Sequence, residues 1–148
     1  MKCVEYILLE KKYKDAFEIY ESILAEQERL FIMTQPKSMR YDQDRVQTTP
    51  SNVLETYITK KEEKRIDSKL RKAKCILKKR ESLLEDKKRE LILSREIPDL
   101  IYRYRYIENI KCSHIAEMLG YSQSQIYRII DGIFEEAKRC EQMRKVMC

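Results

Sequence analysis

The chain has 148 residues, with 31 Lys and Arg against 25 Asp and Glu, for a net charge of +6. That length gives one ordinary domain or a small head on a long helical body, and 38% charged residues with two glycines and three prolines argue against a sheet protein. With glycine only at Gly120 and Gly132, the phosphate-cradling loops G-x-x-x-x-G-K and G-x-G-x-x-G are excluded.

No window approaches the roughly eighteen apolar residues of a membrane span. The start, MKCVEYILLEKKYKD, mixes acids and lysines too closely for a signal peptide. A soluble, cytoplasmic protein without a membrane partner is expected. Five cysteines, Cys3, Cys75, Cys112, Cys140 and Cys148, form no C-x-x-C pair, and His114 is the sole histidine. Zinc requires four clustered ligands, so neither a metal nor another cofactor is expected. No nucleophile, base and acid are arranged around His114, and no enzyme is expected.

The first predicted helix runs up to Pro36. Its residues Tyr13, Phe17, Tyr20, Leu24, Gln27 and Phe31 recur at alternating spacings of 4 and 3, flanked by Ala16, Ile23 and Leu30. This is a coiled-coil seam that needs a partner. Residues 34 to 50 have no period and two prolines, which predicts an extended connection, with Thr49-Pro50 or Ser51 opening the next helix. That helix extends to about Arg95. Leu70, Leu77, Leu84 and Leu91 stand seven apart, with Ile66 and Ala73 between and Ile76 and Leu83 beside them. Arg80 and Lys87 occupy the next intervening positions, where a parallel homodimer would bury like charges against each other. The economical solution folds the first helix back antiparallel on the second, placing one seam on the other.

Charge is uneven. Residues 1 to 51 carry 8 basic and 9 acidic side chains, 52 to 96 carry 15 and 9, and 97 to 148 carry 8 and 7. The excess lies in KKEEKRIDSKLRKAKCILKKR, residues 60 to 80, which suits a solvated face with i, i+4 pairs, a phosphate-facing arm, or an arm for an acidic partner.

Pro98 and Asp99 open the helix PDLIYRYRYIEN, with Leu100, Tyr104 and Ile107 as its expected inner face and Arg103 and Arg105 outward. Next come two helical faces around one bend. Ile115, Ala116 and Leu119 line the first, and Ile126, Ile129 and Ile130 line the second. Gly120 suits the left-handed end of a helix, Tyr121 the angle between the two, and Ser122 with Gln125 makes an S-x-x-Q capping box that starts the next helix at Gln123. This is the pattern of a helix-turn-helix. If the second helix lies in a major groove, Gln123, Ser124, Gln125, Tyr127 and Arg128 are the residues free to face bases, since Gln pairs with adenine and Arg with guanine. Arg103, Arg105, Lys111 and His114 are the expected phosphate contacts. Beyond Ile130 the helix should continue through Ile133, Phe134, Ala137 and Cys140 despite Gly132.

The segment from Pro98 to Ile130 resembles the DNA-binding fourth region of bacterial sigma factors, and the whole chain resembles phage-encoded late-transcription regulators of the ArpU/RinA type. Arg105-Tyr106-Ile107-Glu108, Ile115-Ala116-Glu117 with Leu119-Gly120-Tyr121-Ser122, and Asp44-Arg45-Val46-Gln47-Thr48 carry the resemblance. It implies sequence-specific DNA binding that switches on phage transcription, with Gln123, Ser124, Gln125, Tyr127 and Arg128 reading bases. One departure is Lys111, which stands where the family's first motif helix opens on a Thr or Ser cap.

The expected architecture is therefore all-α: a long antiparallel helical hairpin over 1–96, with the 34–50 connection, then a trihelical helix-turn-helix head over 97–148. The expected function is a sequence-specific DNA-binding transcription regulator of phage origin. Its expected partners are double-stranded DNA, RNA polymerase and further copies bound through the long helices. A phage DNA-packaging or other DNA-binding oligomer, and a structural helical adaptor that binds no DNA, are the alternatives.

Overall fold

The computed structural model describes residues 1–34 and 51–146. Apart from Thr34, the 34–50 connection lies outside the described residues, and so do the Thr49-Pro50 start and the Asp44–Thr48 stretch. The protein is all-α: among the described residues there is no strand. Two long helices, α1 (Lys2–Thr34) and α2 (Ser51–Leu93), are followed by α3 (Ile97–Tyr102), α4 (Cys112–Leu119) and α5 (Gln123–Val146). A π-helical turn, Arg103–Ile107, prolongs α3. Among the described residues, no helix is long and apolar enough to cross a membrane.

The chain gathers into two compact units, residues 15–78 and residues 1–14 with 79–148. Both long helices contribute to both. In the first unit Ala16, Ile66 and Ala73 are buried, and Gln27 Nε2 donates to Asp67 Oδ1 at 3.1 Å. Of the expected α1 seam, Tyr13, Tyr20, Leu24 and Gln27 are half-buried, whereas Phe17 and Phe31 are 40% and 64% exposed; of the flanking residues Ala16 is buried and Ile23 and Leu30 are half-buried.

In the second unit the two charges that interrupt the leucine seam are matched by α1. Arg80 donates to the carbonyl of Lys12, and Lys87 lies 2.9 Å from Glu5 and 2.7 Å from Glu90. Hydrogen bonding by those two carboxylates raises the Lys87 pKa above the ordinary lysine value. Cys3, Val4, Leu8, Leu91, Tyr102, Ile133 and Ala137 form one apolar cluster, and Ile101, Cys112, Ile115, Ala116, Ile126 and Ile130 form another. Phe134 and Ile129 touch both.

The inner face expected for the PDLIYRYRYIEN helix is corrected by this arrangement. Ile101 and Tyr102 are the buried pair, while Leu100, Tyr104 and Ile107 are only half-buried. The helix is gripped on two sides. Ile101 and Tyr104 enter the cluster with α4, and Tyr102 and Ile107 enter the cluster with α1 and α2. Tyr102 packs 4.9 Å from Tyr106 between ring centroids, and Tyr106 meets Phe134 edge-on at 5.6 Å. The π turn closes with Glu108 N–H donating to Arg103 O at 3.0 Å.

α5 passes through Gly132, and a Cβ there would meet nothing within 4 Å. Because glycine in a helix interior is about 1 kcal/mol worse than alanine, Gly132→Ala is expected to raise stability by roughly that amount. A thermal melt followed by circular dichroism checks it; a lower melting temperature would mean the site needs the bare backbone.

Candidate nucleic-acid interface

α4 is preceded by Lys111, whose backbone is extended (φ −70°, ψ 144°) and whose side chain makes no capping bond. The first turn is held instead by the Lys111 carbonyl, which accepts from His114 N–H at 3.0 Å and Ile115 N–H at 3.1 Å, and by the burial of Cys112. The helix ends on Gly120, left-handed at φ 72°. Gly120 N–H and Tyr121 N–H both turn back to the Ala116 carbonyl, the latter at 3.0 Å. Tyr121 is half-buried against the cluster of Ile115, Ala116 and Ile126.

Two residues later the next helix opens with a reciprocal cap. Ser122 N–H donates to Gln125 Oε1 at 2.9 Å, and Gln125 N–H donates to Ser122 Oγ at 3.2 Å. α5 therefore starts at Gln123, as the S-x-x-Q spacing predicts. Ile126 and Ile130 sit in the core below, and farther on Ile133 and Ala137 are buried against α1 and α2 residues. Buried residues along its length thus fix the rotation of this helix about its axis.

Gln123, Ser124, Gln125, Tyr127 and Arg128 are all exposed on the first turns of α5. They do not have equal freedom. Gln125 spends its side-chain oxygen on the cap, which leaves its amide nitrogen for an outside acceptor. Ser124 and Arg128 share one outward face, with Gln123 and Tyr127 beside it. Asp131 and Glu135 continue that face and are exposed, so the part open to a polyanion ends after about two turns.

The four expected phosphate contacts divide. Lys111 and His114 are exposed on α4, with His114 Nδ1 3.5 Å from Glu117 Oε2. The two arginines are engaged within the protein. Arg103 donates Nε to Glu108 at 2.7 Å and one terminal nitrogen to the Ile92 carbonyl at 2.9 Å, and it stacks on Tyr104 at 4.9 Å from the ring centroid. Arg105 donates to the Ile110 carbonyl at 3.3 Å. Sequence spacing does not reveal the Arg103–Glu108 pair. Residues five apart are off-register in an α-helix, where neighbours lie three or four apart, and only the π turn brings these two together.

No family model, curated protein or solved structure matches this chain.

Proposed function

We propose that the chain is a sequence-specific double-stranded-DNA-binding transcription regulator, of the kind its resemblance to phage regulators implies, and that the first two turns of α5 read bases. The architecture that goes with this reading is an antiparallel α1/α2 hairpin and a trihelical head of α3, α4 and α5 of the helix-turn-helix class. The observation that carries it is the start of α5: five polar, base-competent side chains are turned to solvent, on a helix opened by the reciprocal Ser122–Gln125 cap and whose opposite face is locked in a core. A helix that enters a groove needs this fixed rotation, because a bidentate Arg or Gln contact tolerates little angular error.

Lys111 and His114 are the better phosphate contacts in this reading, and Arg103 and Arg105 act as internal braces. Residues 97–148 carry 8 basic and 7 acidic side chains, so one copy has little electrostatic affinity. Tight binding then requires a second copy, with half-sites about one DNA turn or a multiple apart, or RNA polymerase alongside. Selection of bound fragments from random duplex DNA would supply the preferred sequence. On that sequence Arg128→Ala is expected to lose about 1–3 kcal/mol and to relax the preference at one base pair. Equal losses on preferred and random duplex would remove the base-reading role.

A further inference from the structure

We propose that the outward face of α2 in the unit 15–78 is a phosphate-binding surface for duplex nucleic acid, separate from the start of α5. Taking about 100° per residue, Lys61, Lys64, Arg65, Arg71, Lys72 and Lys78 fall within an arc of about 140°. All six are exposed, and the arc lies opposite buried Ile66 and Ala73. The acids of this stretch, Glu62, Glu63 and Asp67, fall outside the arc, and Asp67 there accepts from Gln27 of α1. The α1 portion of the same unit has the opposite sign. Asp15, Glu18, Glu21, Glu26 and Glu28 are exposed, and Arg29 is the one basic residue between 15 and 34. This unit therefore has a basic helix face and an acidic helix.

Charges that serve solubility are interspersed and gain from i, i+4 pairs of opposite sign. Here Lys69, outside the arc, pairs with Glu26 of α1 at 3.7 Å, but on the arc like charges are stacked: Lys61 precedes Lys64 and Arg65 by three and four residues. Such pairs destabilise a helix, and a polyanion relieves the repulsion. From Lys61 to Lys78 the row is about 26 Å long, and Lys64, Arg71 and Lys78 repeat about every 10.5 Å. Duplex DNA presents a negative charge about every 1.7 Å along its axis, so it matches the whole row. A folded acidic protein fits less well. Ser68 and Cys75 stand between the cations, with none of the large aromatic anchors that dominate protein–protein binding.

The inference shares with the proposed function only its ligand, and two readouts separate them. On random duplex, the triple variant Arg71→Gln, Lys72→Gln, Lys78→Gln is expected to flatten the dependence of log affinity on log salt by about 0.9 per lost contact. Random duplex at low salt is also expected to slow alkylation of exposed Cys75 in the unsubstituted chain, read on its own peptide. The second readout stands even if the triple variant misfolds. An unchanged slope in a folded variant, or unslowed Cys75 alkylation at saturating duplex, overturns the inference. So does a variant that changes only the sedimentation of the free protein, since the basic face would then bind the acidic α1 of another copy. Sequence preference lost through Arg128→Ala with an unaltered arm slope leaves the base-reading role standing and removes this one; a sloped, arm-dependent affinity with no sequence preference does the reverse.

Discussion

Asp99→Ala is expected to lower stability by roughly 3–5 kcal/mol, a fall of about 10 °C or more in melting temperature for a chain of this size. Asp99 is fully buried in the first turn of α3, yet its partners come from elsewhere. Its carboxylate accepts from Cys3 N–H at 2.9 Å, Lys2 N–H at 3.3 Å and Ser94 Oγ at 2.7 Å. It therefore caps the first turn of α1 from a segment almost a hundred residues away, as a local Ser or Asp does at an ordinary helix start. Alanine would strand the Cys3 N–H and the Ser94 hydroxyl in a buried site and the Lys2 N–H in a part-buried one.

The pH dependence has a definite sign. Burial alone would raise the Asp99 pKa, but hydrogen bonds from the Cys3 and Ser94 side chains and the Cys3 and Lys2 backbone hold it below the ordinary aspartate value of 3.8. The stabilisation is thus complete above that value and is lost as pH falls through the depressed one. In acid titrations, Asp99→Asn is expected to shrink this limb. Beside it, burial and then Asp99 push the Cys3 thiol up to about 12, so Cys3 stays protonated and should alkylate slowly in the native protein and fast in Asp99→Ala. An unchanged melt and an unchanged Cys3 alkylation rate would show that the anchor carries no stability.

Ile126→Ala is expected to cost about 2–5 kcal/mol, since it removes three carbons from a site with no exposure. In the proposed reading the loss reaches DNA binding through geometry. Ile126 is the first buried residue after the Ser122–Gln125 cap, and it holds the rotation that keeps Gln123, Ser124, Tyr127 and Arg128 outward. Duplex binding should therefore fall on preferred and random sequences together, unlike the sequence-dependent loss of Arg128→Ala. Ile126→Val, which removes one methylene, is expected to keep most binding at a cost of about 0.5–1.5 kcal/mol. If Ile126→Ala melts like the parent, the two helices across Gly120 do not share a core.

The Gly120 bend, the start of α5 at Gln123 and the passage of α5 through Gly132 were legible in the sequence because each is a local event. A left-handed terminus, a side-chain cap and a run of core residues at helical spacing depend on neighbours within about five positions. The exposed set from Gln123 to Arg128 was readable for the same reason: once Ile126 and Ile130 are assigned inward, the helix period puts the others outside. The sequence by itself therefore determined that this protein is helical, where its last helix begins, and which side chains that helix offers to solvent. Tertiary structure alone decided the rest. Ile101 and Tyr102, in place of the expected Leu100, Tyr104 and Ile107, are the buried residues because two cores grip α3, and Arg103 pairs with Glu108 because a π turn brings it within reach. Asp99 became the cap of α1 from 96 positions away, and Cys3, Val4 and Leu8 joined the core under Ile133 and Ala137 of α5, which lie still farther along the chain. No periodicity encodes such pairings, because side-chain spacing reports only which face of an element is apolar and not which distant surface will cover it.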